Sequence, residues 1–163
     1  MEHQTTLIFS EPLIRQAVFA FWRRSIGVLF FVALALLAIA LAYLLYAGDR
    51  TWLVGVFASV LALGIGLPIA LFVVHYRNST QKLRTMGLPQ ASLVATESAL
   101  SFSSGAGSSS LPWSAVSEIW QFPTFWLLLF SKAHFATVPL ADISPDIQAF
   151  IVQHVRAAGG KIG

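Results

Sequence analysis

The side chains that most often carry chemistry are few in this chain and stand far apart. The sequence has no cysteine, which excludes disulfides, thiolate zinc sites and cysteine nucleophiles. Its histidines are His3, His75, His134 and His154. None has another metal-ligating residue type three or four positions away, the spacing that would place two ligands on one helix face. We therefore expect no metal site.

A catalytic constellation is equally hard to assemble. Ser114, His134 and Asp142 are the residue types of an acyl-transfer triad, but no strained nucleophile turn surrounds Ser114. Residues 105–107 read Gly-Ala-Gly without a third glycine and do not open a helix, so they predict a flexible hairpin rather than a nucleotide site. We expect no catalytic residue, no cofactor and no enzymatic activity.

The composition points to a membrane. Of the 163 residues, 56% are hydrophobic and 10% are charged. A soluble domain carries about 25% charged and roughly 45–50% apolar residues. This balance argues against a free soluble enzyme domain, a disordered chain and an acidic tail protein.

Two long apolar runs explain that balance. Residues 26–46 and 52–74 contain no charged side chain. At about 1.5 Å rise per residue, each run covers roughly the 30 Å of a bilayer core. Two adjacent runs of this length argue against a buried core helix, and the first begins too late and runs too long for a signal peptide. We predict a transmembrane hairpin whose spans are joined by residues 47–51.

Basic residues predict the orientation of this hairpin. Arg15, Arg23 and Arg24 precede the first span, Arg77, Lys82 and Arg84 follow the second, and the loop has Arg50 beside Asp49. By the positive-inside rule, both termini are expected in the cytoplasm, with the loop of the hairpin facing outward. The three basic residues after the second span could also contact anionic lipid headgroups, or only set the topology.

Small residues recur every four positions on the second span. They are Ala58, Ala62, Gly66 and Ala70. Small side chains at this spacing let helix backbones approach closely. The stripe is expected to pack helices, either on the first span of the same chain or on another copy in a homo-oligomer.

The flanking segments predict a mixed α+β protein. Residues 1–25 should hold a strand at 5–9 and an amphipathic helix that begins near Ser10, and residues 75–90 form a polar, basic linker. Residues 91–163 should form a small antiparallel sheet or partial barrel, closed by a helix with Ser144 as its N-cap. Its candidate strands are 92–95, 99–102, 110–113, 116–122, 125–131 and 135–139, with a flexible connection at 103–109 and a turn at 132–134.

An ordered set of motifs in this last segment resembles the YcxB-like family of bacterial membrane proteins. The set comprises Leu111-Pro112-Trp113-Ser114-Ala115-Val116, Ile119, residues 125–130 and Val138-Pro139. The resemblance covers the whole chain in layout and residues 92–155 in motifs. It implies a C-terminal domain similar to bacterial pleckstrin-homology-like modules. Residues 140–143 carry Asp142 and lack the basic character expected there, which disfavours an anionic-lipid site in that loop.

Two functional hypotheses follow. In the first, the tethered cytoplasmic domain binds a protein partner or lipid, with Trp120, Phe122 and Trp126 as contact residues. Trp120 alternates with Ile119 and should face away from the core, where it either forms an apolar patch with Phe122 or is buried under the N-terminal strand or helix. In the second, the chain is an immunity or accessory subunit acting through its spans on a membrane-active toxin or transporter. Nucleic acid is not an expected partner, because residues 91–163 carry one more acid than base.

Overall fold

A computed structural model describes residues 2–131 and 134–163, so the predicted turn at Lys132 and Ala133 lies outside the described residues. The chain divides into two compact units, residues 1–17 with 78–163 and residues 18–77. The helices are α1 (Glu11–Ile26), α2 (Val28–Tyr46), α3 (Trp52–Thr85) and α4 (Pro145–Ala157). The strands are β1 (His3–Ile8), β2 (Gln90–Ala95), β3 (Ala99–Ser104), β4 (Gly107–Pro112), β5 (Glu118–Gln121), β6 (Phe125–Leu129), β7 (Phe135–Pro139) and β8 (Lys161–Ile162).

The first unit contains two four-stranded sheets. Their strand orders are β1-β2-β3-β4 and β7-β6-β5-β8. All neighbouring strands are antiparallel except β8, which runs parallel to β5. The described strands form no closed barrel. The predicted mixed α+β class, with antiparallel sheets and two long apolar helices, is confirmed.

One hydrophobic core joins the two sheets and α4. It combines side chains of sheet one with those of sheet two and with the buried face of the helix; examples are Leu7, Leu93, Leu100, Ile119, Leu128 and Ile151, each 0% exposed. Helix α4 begins where the sequence predicted. Pro145 is its first residue, and the hydroxyl of Ser144 accepts a hydrogen bond from the backbone N–H of Ile147, as expected of an N-cap.

The segment predicted as a flexible connection at 103–109 is mostly strand. Strands β3 and β4 continue to a tight turn at Gly105 and Ala106, so the prediction was wrong there. Serine is accommodated in a strand when its side chain lies on the solvent side of a sheet. A run of serines shows no alternation of apolar and polar residues, so its strands are not recognised from the sequence. Glycine is required at position 105, because a Cβ there would clash with the carbonyl oxygen of Met86.

The second unit holds α2, most of α3 and the C-terminal part of α1. Both α2 and α3 are long and apolar enough to cross a membrane, and neither has a buried residue. Aromatic rings of α1 pack on α3: Trp22 lies 5.8 Å from Phe72 between ring centroids, and its indole N–H donates to the carbonyl of Pro68 at 2.7 Å. Helix α3 continues to Thr85, so the first part of the predicted linker is helical.

Candidate partner-binding surfaces

The predicted contact residues lie on both faces of the second sheet. In the β5–β6 register Trp120 is paired with Leu127, whereas Trp126 is paired with Gln121. Directly paired residues share a face, and successive residues alternate. Trp120 therefore points away from the core that Ile119 enters, as the alternation predicted, and Trp126 lies on the core face.

Both tryptophans are largely removed from solvent. Trp120 is 7% exposed and Trp126 is 6% exposed. Phe122 is half-buried and is therefore the most solvent-accessible of the three residues. A single surface formed by all three side chains is not available, because the sheet separates Trp126 from Trp120. The role of the three residues in partner binding stays a prediction.

Phe122 stands in the turn that joins β5 to β6. Its backbone N–H donates to the carbonyl of Phe125 at 3.0 Å, and the two rings stack with centroids 4.9 Å apart. Pro123 and Thr124 between them are exposed. The turn therefore holds an aromatic ring beside two exposed residues, an arrangement suited to a protein contact.

An aromatic cluster that the sequence did not predict joins α4 to Trp113. The ring of His154 lies 4.0 Å from Phe150 and 5.1 Å from Trp113 between centroids. Its Nε2 lies 3.3 Å from a carboxylate oxygen of Glu97, and its Nδ1 lies 2.9 Å from the carbonyl of Phe150. The indole N–H of Trp113 donates to the carbonyl of Thr96. These contacts fasten α4 to the β2–β3 turn, and the signal for them was only the i, i+4 spacing of Phe150 and His154.

The small-residue stripe of α3 faces outward within one chain. Ala58, Ala62, Gly66 and Ala70 are all exposed, and a Cβ built on Gly66 would meet nothing within 4 Å. The close approach of α2 and α3 instead involves Gly64, where a Cβ would lie 2.7 Å from Cδ1 of Leu34. Whether the stripe packs another helix stays a prediction.

The basic residues after the second span also face outward. Arg77, Lys82 and Arg84 are exposed on α3. Their side chains are long enough to reach a charged surface beside the helix. Binding of lipid headgroups by these residues stays a prediction.

The outer face of the first sheet carries hydroxyl groups instead of charges. A shallow cavity of about 300 Å³ lies against it, lined by Thr6, Met86, Leu88, Gln90, Ala91, Ser92, Ser103, Ser104 and Gly105.

Among the described residues, no group of three or more histidine, aspartate or glutamate side chains could share a metal ion.

Comparison with known protein families gives a match within the first unit. Residues 95–155 match the model of YcxB-like protein. The resemblance predicted from the Pro-Trp-Ser motif and the strands after it is confirmed over this stretch. The YcxB-like segment runs from the end of β2 to Val155 in α4, and so includes the β5–β6 turn and Trp113. Comparisons with curated proteins and with solved structures gave no match.

Proposed function

We propose that the chain is a non-enzymatic protein of the bacterial inner membrane, in which α2 and α3 span the bilayer and the YcxB-like domain binds a protein partner in the cytoplasm. The observation that carries the membrane proposal is the apolar surface of both helices. Leu29, Leu36 and Ile39 are 84%, 62% and 65% exposed. Soluble monomers rarely expose contiguous apolar patches of more than a few hundred Å². Lipid tails would cover these side chains at no cost.

The charges at the helix ends support the proposed orientation. Three basic residues precede α2 and three follow the apolar part of α3, whereas the loop between the helices has Arg50 beside Asp49. The backbone N–H of Thr51 donates to the Asp49 carboxylate at 2.7 Å, and this bond lowers the pKa of Asp49. The ionisable side chains of Asp49 and Arg50 favour a position of this loop in water, outside the hydrocarbon.

A single cysteine tests this topology, because the natural chain has none. We expect Arg50→Cys to react with a membrane-impermeant maleimide in intact spheroplasts. Ser108→Cys, on the exposed part of β4, should react only after the membrane is permeabilised. Equal labelling of both variants in intact spheroplasts would contradict the proposed orientation.

Phe122 is the best position at which to test partner binding. It is more accessible than Trp120, whose replacement by alanine would also open a cavity in the sheet unit. We expect a photoreactive phenylalanine analogue at position 122 to crosslink one protein in intact membranes. We also expect Phe122→Ala to lower co-purification of that protein at least tenfold, whereas Thr124→Ala, in the same turn, leaves it unchanged.

Two design choices make this experiment readable. The affinity tag belongs in the loop of residues 47–51, because the backbone of Gly163 bonds to β5 through Ile119 and Gln121. The crosslinked species is identified by mass spectrometry. A phospholipid adduct at position 122 would replace the protein partner with a lipid. If the photoreactive side chain reacts only with water, the proposed contact at position 122 does not exist.

A second function is favoured by the outward stripe of α3. An immunity or accessory subunit that acts within the membrane would present Ala58, Ala62, Gly66 and Ala70 to a toxin or transporter helix, and these residues are exposed. In the same co-purification, Gly66→Leu separates the two functions. Our first proposal requires capture to persist in this variant, and its loss would favour the second function. Gly64→Leu is the matched variant, because it disturbs the contact with Leu34 inside the chain instead.

A further inference from the structure

Strand β4 is an open edge of the first sheet. It pairs with β3 over six residues, from Gly107 opposite Ser104 to Pro112 opposite Ala99, and no other strand of the described ranges 2–131 and 134–163 pairs with its outer side. Five of its six residues are exposed, and Leu111 is half-buried. Its outward backbone N–H and C=O groups can therefore accept a further strand.

This edge lacks the devices that normally prevent pairing. Natural edge strands carry charged side chains, prolines or bulges, or are very short. Strand β4 has no charged residue, its register with β3 is continuous, and its proline, Pro112, is the last residue. Of the other three edge strands of the described sheets, β8 has two residues and includes Lys161, β7 is buried or half-buried throughout, and β1 donates the backbone N–H of Ile8 to the Asp142 carboxylate. Strand β4 has none of these features, so its edge is available for pairing.

The side chains of β4 fit an identical strand better than a foreign peptide. Strand addition by a foreign peptide draws its specificity from pockets beside the edge, and β4 offers serine hydroxyls instead of apolar pockets. Pairing of two copies places equal residues close together, which like charges would oppose and neutral serines do not. The side chains of neighbouring serines already bond across this sheet, since the Ser101 hydroxyl donates to that of Ser110 at 2.8 Å.

We propose that β4 pairs antiparallel with β4 of a second copy of this chain, which joins the two β1–β4 sheets into one continuous sheet across a twofold axis. Such an interface is isologous: each strand gives the other what it receives. In an antiparallel pair, opposed residues share a face, so an axis at Ser109 places Ser109 opposite itself and Ser108 opposite Ser110. The proposal concerns self-association and does not depend on the capture of a partner at Phe122.

Single cysteines test this pairing in inverted membrane vesicles that contain the full chain. We expect Ser109→Cys to form an intermolecular disulfide under mild oxidation at least ten times faster than Ser92→Cys. Position 92 is the matched control, because it lies on β2, between two strands of the same sheet. If the axis lies one residue away, Ser108→Cys or Ser110→Cys crosslinks fastest instead. Equal rates at positions 92, 108, 109 and 110 would overturn the proposal.

A charge swap added to the Ser109→Cys variant identifies the strand contact as the cause. Ser108→Lys with Ser110→Lys places like charges opposite each other in the pair and should slow the crosslink at least tenfold. Ser108→Lys with Ser110→Glu places opposite charges there and should restore it. Both positions are exposed, so both combinations should keep the folded sheet, which their urea midpoints would verify. A crosslink that ignores the charges, or that is lost in Gly66→Leu, would assign the association to another surface.

Discussion

Replacing Leu7 with alanine should lower the free energy of unfolding of the sheet unit by about 2–5 kcal/mol, the usual cost of truncating a fully buried leucine. Leu7 precedes the apolar helices in the chain, yet it is 0% exposed and belongs to the same core as Leu93 and Leu100. The variant would leave a cavity in the core that the two sheets and α4 share. The measurement is a urea titration of the full chain in mild detergent, followed by tryptophan fluorescence.

Ile8→Ala is the matched control for this prediction. Ile8 is the next residue of the same strand, but its side chain is 61% exposed, so its loss should change the free energy of unfolding by no more than about 0.5 kcal/mol. Similar midpoints for Leu7→Ala and Ile8→Ala would contradict the assignment of β1 to the core.

Ile151→Ala should have an effect of similar size at the opposite end of the sequence. Ile151 is 0% exposed and lies on the face of α4 that enters the core. We expect a loss of about 2–5 kcal/mol, because the removed atoms leave a cavity that the two sheets cannot fully close. The same urea titration measures it.

Gln153→Ala provides the comparison on the same helix. Gln153 is exposed, and alanine is at least as good a helix former, so stability should be unchanged within about 0.5 kcal/mol. If Ile151→Ala were equally mild, α4 would be a peripheral helix and not part of the core.

The Leu7 prediction extends the folding unit beyond the YcxB-like match. That match begins at Ala95, in the last position of β2, whereas β1 pairs with β2 along its whole length. Asp142 strengthens this attachment: its carboxylate accepts the backbone N–H of Ile8 and its carbonyl accepts the Thr5 hydroxyl, both at 2.6 Å. The sheet unit is thus assembled from segments on both sides of the apolar helices.

The candidate contact residues show how far alternation can be followed. Because successive strand residues face opposite sides, the sequence predicted that Trp120 points away from Ile119, and the register agrees. Burial was not predictable in this way. Strand β6 is buried along its whole length, so both faces are covered, and an apolar strand reads the same whether its second face meets solvent or protein.

The amino-acid sequence by itself determined the local and compositional features of this protein. The lack of charge in residues 26–46 and 52–74 predicted the two long apolar helices, and Ser144-Pro145 predicted the start of α4, because these signals act within a few residues. Only the tertiary structure decided which segments meet. The pairing of β1 with β2, the parallel addition of β8 to β5, the outward direction of the Gly66 stripe and the open edge of β4 each depend on packing between residues far apart in the chain, and no short-range pattern encodes such packing.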